Sequence, residues 1–134
     1  MSAASRIRAY YDALRDGDPL YPYFAPSDDV VKFGISEHLD GYEAVETALR
    51  EQTNSTADWV VESRDLRVTE RDRHAWFADL VTMGWTDLER NIRFEFDTRW
   101  SGTLERERRT RGESDDSPGD WRFVAMHVST AGDL

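Results

Sequence analysis

The sequence predicts an α+β fold in which N-terminal helices pack in the concavity of a strongly curved antiparallel sheet. Two observations carry this expectation. Helical apolar spacing is confined to the N-terminal part of the chain, and from Trp59 onward four long segments are rich in Val, Phe, Trp and Thr. Helices followed by a run of strands pack as layers, with the helices on one face of a single sheet. A third observation sets the scale: 134 residues make one domain, 1–134, with one core, no internal repeat and no linker.

The first helix is expected over residues 3–16, because Ile7, Tyr10, Tyr11 and Leu14 follow the i, i+3, i+4, i+7 spacing of one buried face. Gly17 stops it and Pro19 follows. DPLYPYFAP, broken by three prolines, reads as one helical turn or an irregular wrap whose Tyr21, Tyr23 and Phe24 cover something. Residues 29–35 suit a strand and 36–40 its short partner. Asp40 then reads as an N-cap with Glu43 at N3, opening a helix to about Gln52 with Tyr42, Val45 and Leu49 inside. Asn54-Ser55-Thr56 matches a glycosylation sequon by chance and marks a polar connection.

The four strand segments are WVVESRDLRVT, HAWFADLVTMGW, NIRFEFDTRWSGTLERE and WRFVAMHVS, separated by polar breaks at 70–73, 86–90 and 110–120. The last break is charged, contains glycine and is expected to be mobile. In the final strand, simple alternation sets Trp121, Phe123, Ala125, His127 and Ser129 against Arg122, Val124, Met126 and Val128. Being apolar on both faces, it should lie inside the sheet, with His127 on a largely covered surface.

Composition narrows the function classes. No run of about 18 apolar residues exists to span a membrane, and the N-terminus turns amphipathic at once, without the apolar stretch of a signal peptide. Cysteine is absent, which excludes disulfides and thiolate chemistry; a cytoplasmic protein is the plain expectation. Acidic residues number 27 against 17 basic ones, and Lys32 is the sole lysine. That balance resembles the cytosolic proteins of salt-accumulating halophiles, and a net charge of −10 argues against nucleic-acid binding. The arginines of LERERRTRG alternate with glutamates, as on a solvated strand end.

Two residues stand out as candidate catalysts. His127 has an imidazole suited to acid–base work near neutral pH, set against a core or dimer-face role. Asp79 lies in an apolar strand with Phe77 and Val81, where a carboxylate is costly unless paired; a strand arginine such as Arg99 is the expected partner. Asp97 and Arg99 share a face with Arg93 and Glu95, and Arg99 is a candidate for holding a carboxylate ligand. Tyr10, Phe24, Phe33, Trp76, Trp85 and Trp100 are candidate pocket walls or core. No metal, nucleotide or serine-hydrolase motif is present, so neither metal nor cofactor is expected.

Several blocks occur in the order of the SnoaL-like branch of the nuclear-transport-factor-2-like superfamily. YYDALRDGD resembles its opening helix and stop, DDVVKFG with EHLDGYEAV its first hairpin and second helix, and HAWFADL a sheet strand. FDTRWSGTLERE resembles a strand bearing an arginine (Arg99) with small hydroxyl residues after it, and GDWRFVAMHVS the terminal strand. The resemblance implies a cone-shaped fold, usually a homodimer through the sheet's outer face. It covers ketosteroid isomerase, scytalone dehydratase, polyketide cyclases and a kinase association domain, so it names no reaction. The leading expectation is binding of a small apolar or weakly acidic molecule in the cone. The alternatives are a cofactor-free isomerase, dehydratase or cyclase with His127 or Asp79 as base, and a non-catalytic interaction module with a solid cone.

Overall fold

The computed structural model describes residues 2–107 and 120–132. The break expected at 110–120, apart from Asp120, and Arg108, Arg109 and Arg111 of the arginine run lie outside the described residues.

Helix α1 (Ala3–Asp16) follows from its spacing and its ends. The Ser2 hydroxyl accepts the Ser5 amide, and Gly17 takes the left-handed conformation (φ 72°) that lets the Asp18 amide reach the Ala13 carbonyl at 2.9 Å. One turn of 3-10 helix (Tyr21–Tyr23) follows, then strands β1 (Val31–Gly34) and β2 (Glu37–Asp40). Helix α2 (Tyr42–Ser55) starts later than the sequence suggested. Asp40 stays in β2, paired with Val31, and Gly41 at φ 85° occupies the N-cap position without a side-chain cap. The Tyr42 amide donates to the Ser27 carbonyl instead.

WVVESRDLRVT forms two strands, β3 (Thr56–Ser63) and β4 (Arg67–Glu70). Long strands β5 (His74–Asp87), β6 (Ile92–Arg106) and β7 (Trp121–Thr130) complete the sheet. Its order is β2-β1-β7-β6-β5-β3, with β4 pairing β5 beyond the end of β3. The sheet is mixed: β1 runs parallel to β7, while the other pairings are antiparallel. Register slips between Ala57 and Val60 and between Thr103 and Leu104, and such bulges bend strands and increase twist. Both helices pack on the inner face, around a core that includes Ile7, Leu49, Phe77, Leu104, Trp121 and Phe123.

The second slip changes the final strand. Leu104 pairs with Phe123 but Thr103 with Ala125, so Val124 is the extra residue. Before it Trp121 and Phe123 point inward; after it Met126 and Val128 do. Ala125, His127 and Ser129 therefore turn to the outer face, and His127 is exposed where simple alternation had it covered.

Candidate functional site

Between the inner face of the sheet, the two helices and the β1–β2 hairpin lies a partly open cavity of about 140 Å³. From α1 come Tyr10 and Leu14, from α2 Gln52, from β3 Trp59, from β5 Met83 and Trp85, from β6 Trp100 and from β7 Val128. The β1–β2 hairpin adds Lys32, Gly34, Ile35 and Glu37. Tyr10, Trp59, Trp85 and Trp100 are its aromatic side; Trp59 and Trp85 stack at 5.0 Å, and behind the wall Trp85 packs on Phe94 at 5.3 Å. Two indole N–H groups are already bonded, Trp100 to the Thr98 hydroxyl and Trp59 to the Thr56 hydroxyl, both at 2.9 Å.

One charged pair breaks the apolar lining. Lys32 is 6 % exposed and its ammonium donates to Glu37 Oε1 at 2.5 Å. In the sequence, Lys32 stands out only through the charge balance, as the sole lysine. Its placement follows from the period of two: Phe33, its neighbour, faces out beside His38 and His127, so Lys32 must face in. Trp59, Met83, Gln52 and Glu37 were likewise not singled out. The available signal was a lone lysine within an apolar strand, DVVKFG.

Tyr10 borders the same cavity. Burial, then the Glu37 charge, pushes its phenol well above the ordinary value, and its hydroxyl has no hydrogen-bond partner among the described residues. Tyr11, one residue on, faces a different group. Its hydroxyl donates to Asp79 Oδ2 at 2.8 Å, and burial followed by the Asp79 charge raises it as well. Ionising either phenol therefore favours the unfolded chain: their contribution to stability is intact below about pH 10 and is lost on going more alkaline. In an ultraviolet titration, the phenolate signal should fall two short of the five tyrosines until alkaline unfolding releases Tyr10 and Tyr11. A full five-phenolate amplitude in the folded protein would contradict their burial.

Asp79 is buried on the inner face with Phe77 and Val81, but its partner is not an arginine. Besides Tyr11, the Ser63 hydroxyl reaches Oδ2 at 2.6 Å and the Asp65 amide reaches Oδ1 at 3.0 Å. Arg99, the partner expected from sequence, is on the opposite face and donates to the Ser129 hydroxyl at 3.2 Å and the Thr130 carbonyl at 3.3 Å. Three donors to one carboxylate describe an anchor between α1, β5 and the bend after β3.

The residues singled out from sequence thus divide by position. Tyr10, Trp85 and Trp100 line the cavity, while Phe24 is fully buried behind Tyr10 and against Phe123. Phe33, Trp76, Arg99 and His127 are on the outer face. There Phe33 lies 5.8 Å from His127, and Arg71 sits over the Trp76 ring.

A family model described as a SnoaL-like domain matches residues 4–132. No protein with a curated description matches the sequence. Among solved structures, a nuclear transport factor 2 superfamily protein from Salmonella enterica superposes with a TM-score of 0.77 at 14 % identity, over 96 % of this chain and 88 % of its own. An NTF2-like protein of unknown function from Pseudomonas putida gives 0.73 at 23 % identity, over 100 % and 92 %. A ketosteroid isomerase-like protein from Erwinia carotovora gives 0.71 at 14 %, over 97 % and 94 %. At these identities the structural likeness speaks for the fold alone. With the family model spanning nearly the whole sequence, the chain belongs to the SnoaL-like family, and it shares its fold with these NTF2-like neighbours.

Proposed function

We propose that this protein binds a small, mostly apolar or weakly acidic molecule inside the cone. The observation that carries the reading is the cavity between the helices and the inner face of the sheet. Protein interiors rarely leave voids larger than a water molecule, and a cavity of about 150 Å³ takes a benzene ring. A space of about 140 Å³ walled by Trp59, Trp85 and Trp100 is therefore matched to a single ring whose substituents reach the mouth. Single-ring aromatic fragments, followed by ligand-observed NMR, should bind saturably, and the cavity-filling variant Met83→Trp should abolish that binding while remaining folded. Fragments that bind Met83→Trp as well as the parent would sink the proposal.

The proton-transfer alternative draws no support from the geometry of the cone. Neither His127 nor Asp79 lines the cavity, and both Asp79 oxygens are occupied by donors. We expect His127→Ala to leave fragment binding unchanged.

A homodimer through the outer face is the second part of the proposal. Phe33, Trp76 and Leu80 are 42, 48 and 42 % exposed on that one face, together with Ala78, Ser101 and His127. Large apolar side chains exposed on one sheet face mark association sites, and the mixed charges beside them (Arg93, Glu95, Asp97, Arg99) suit a self-complementary two-fold contact. Light scattering should give a dimer for the parent and a monomer for Trp76→Glu/Leu80→Glu; an unchanged mass would remove this face from the assembly. The acidic surface, with the sole lysine buried, fits a salt-rich cytoplasm. Among the described residues no helix is long and apolar enough to cross a membrane.

A further inference from the structure

Lysine occurs once in this chain, and the fold puts it at the cavity. The other sixteen basic residues are arginines, whose guanidinium stays protonated and is no nucleophile. An ion pair that only fastened the β1–β2 hairpin would be served by arginine as well. Lys32 instead borders the cavity at 6 % exposure, a space it shares with Trp59, Trp85 and Trp100. Gly34 borders it too and keeps the approach to the amine clear. A side-chain carbon at Gly34 would lie 3.4 Å from Lys32 Nζ and 2.8 Å from Glu37 Oε1.

A lysine amine in an apolar cavity is suited to condensation with a carbonyl group. The ammonium must first give up a proton, and Glu37 Oε1, at 2.5 Å, is placed to take it. That transfer turns two charges into two neutral groups, which an apolar surround favours. The Nζ lone pair adds to the carbonyl carbon, a proton moves from nitrogen to the former carbonyl oxygen, and a carbinolamine results. Glu37 returns its proton to that hydroxyl, the C–O bond breaks, water leaves, and the nitrogen lone pair closes the C=N bond. The iminium carries the charge the ammonium had, so Glu37 still balances it. Nothing is oxidised or reduced, and water reverses the sequence. We infer that Lys32 is a nucleophile that captures an aldehyde in the cone as a reversible imine, with Glu37 moving the proton. The inference rests on the cone being a binding site and narrows its occupant to a single-ring aldehyde. A ring nearly fills about 140 Å³, which leaves room for a formyl hydrogen but not for the second carbon chain of a ketone.

The test traps the imine. Benzaldehyde and cyanoborohydride are added to the folded protein at neutral pH, and the benzyl amines formed are located by peptide mass mapping. With one lysine in the chain, the terminal α-amino group is the internal standard. In the urea-unfolded chain that group should label first, because it is the less basic amine. In the folded protein Lys32 should label at least about tenfold faster than the α-amino group, with a rate that saturates in benzaldehyde and that toluene slows. Lys32→Arg keeps the cation beside Glu37 and should leave only the terminal adduct. Met83→Trp fills the cavity and should protect Lys32. A terminal adduct alone in the folded parent overturns the inference, as does Lys32 labelling that toluene or Met83→Trp leaves unchanged. Saturable toluene binding without a Lys32 adduct would leave the cone a binding site. If toluene and benzaldehyde both fail to bind at millimolar concentration, the binding-site reading falls too.

Discussion

Asp79→Ala should destabilise the protein by about 4 kcal/mol, read as a lower urea midpoint with an unchanged slope. The estimate comes from three donors losing one acceptor. The Tyr11 hydroxyl is buried and would be left without a partner, and the Ser63 hydroxyl and Asp65 amide are partly buried. Each orphaned buried donor costs about 1–3 kcal/mol, with bonds to a charged acceptor at the upper end, and partial access to water trims the last two. Asp79→Asn retains an acceptor oxygen and should cost about half as much. Tyr11→Phe removes one donor and leaves the carboxylate two others, so about 1–2 kcal/mol is expected. If Asp79→Ala proved nearly neutral, the carboxylate would not be the anchor described, and its expense in an apolar strand would again require a functional explanation.

Gly102→Ala is the second large effect, and the interest is its sign. Replacing a strand glycine by alanine ordinarily gains about 0.5–1 kcal/mol, because glycine loses more freedom on folding. At position 102 the added methyl would overlap the Ala125 carbonyl oxygen and lie 2.9 Å from a Phe77 ring carbon. Ala125 adjoins the bulge at Val124, and a backbone oxygen cannot rotate away as a side chain can. Overpacking against fixed atoms typically costs 1–3 kcal/mol, so a net loss of about 2 kcal/mol is expected. A neutral or stabilising result in urea unfolding would mean the bulge yields freely. The outer-face position of His127 depends on that bulge, so crystals of Gly102→Ala would also report any change in which face it occupies.

Much of the fold was legible because its signals are local. The Ile7–Leu14 spacing and Gly17 bound α1, three prolines confine residues 18–26 to a single turn, and runs such as HAWFADLVTMGW have the composition of strands. The α2 start was misread because Asp40 has the chemistry of a cap yet is held in β2 by Val31, a partner nine residues away. The site was less legible. Tyr10, Trp85 and Trp100 were named, but aromatic identity does not tell wall from core, so Phe24 was named with them and proved to be packing. Lys32 and Glu37 went unread because a charge is normally assigned to the solvent side, and the four-residue strand β1 gives no pattern long enough to overrule that habit.

By itself, then, the sequence determined the element types, their order and the single curved sheet, because helix spacing, turn residues and strand composition act over a few residues. The tertiary structure alone decided which residues face the cone. Facing is set by strand register, and one extra residue at Val124 exchanges the two faces of everything that follows in β7. That exchange carries His127 to the outer surface, while the pairing of Phe33 with His127 holds Lys32 inward beneath it. The slip depends on pairing with β6 and on the space Gly102 leaves, contacts no local reading of WRFVAMHVS contains.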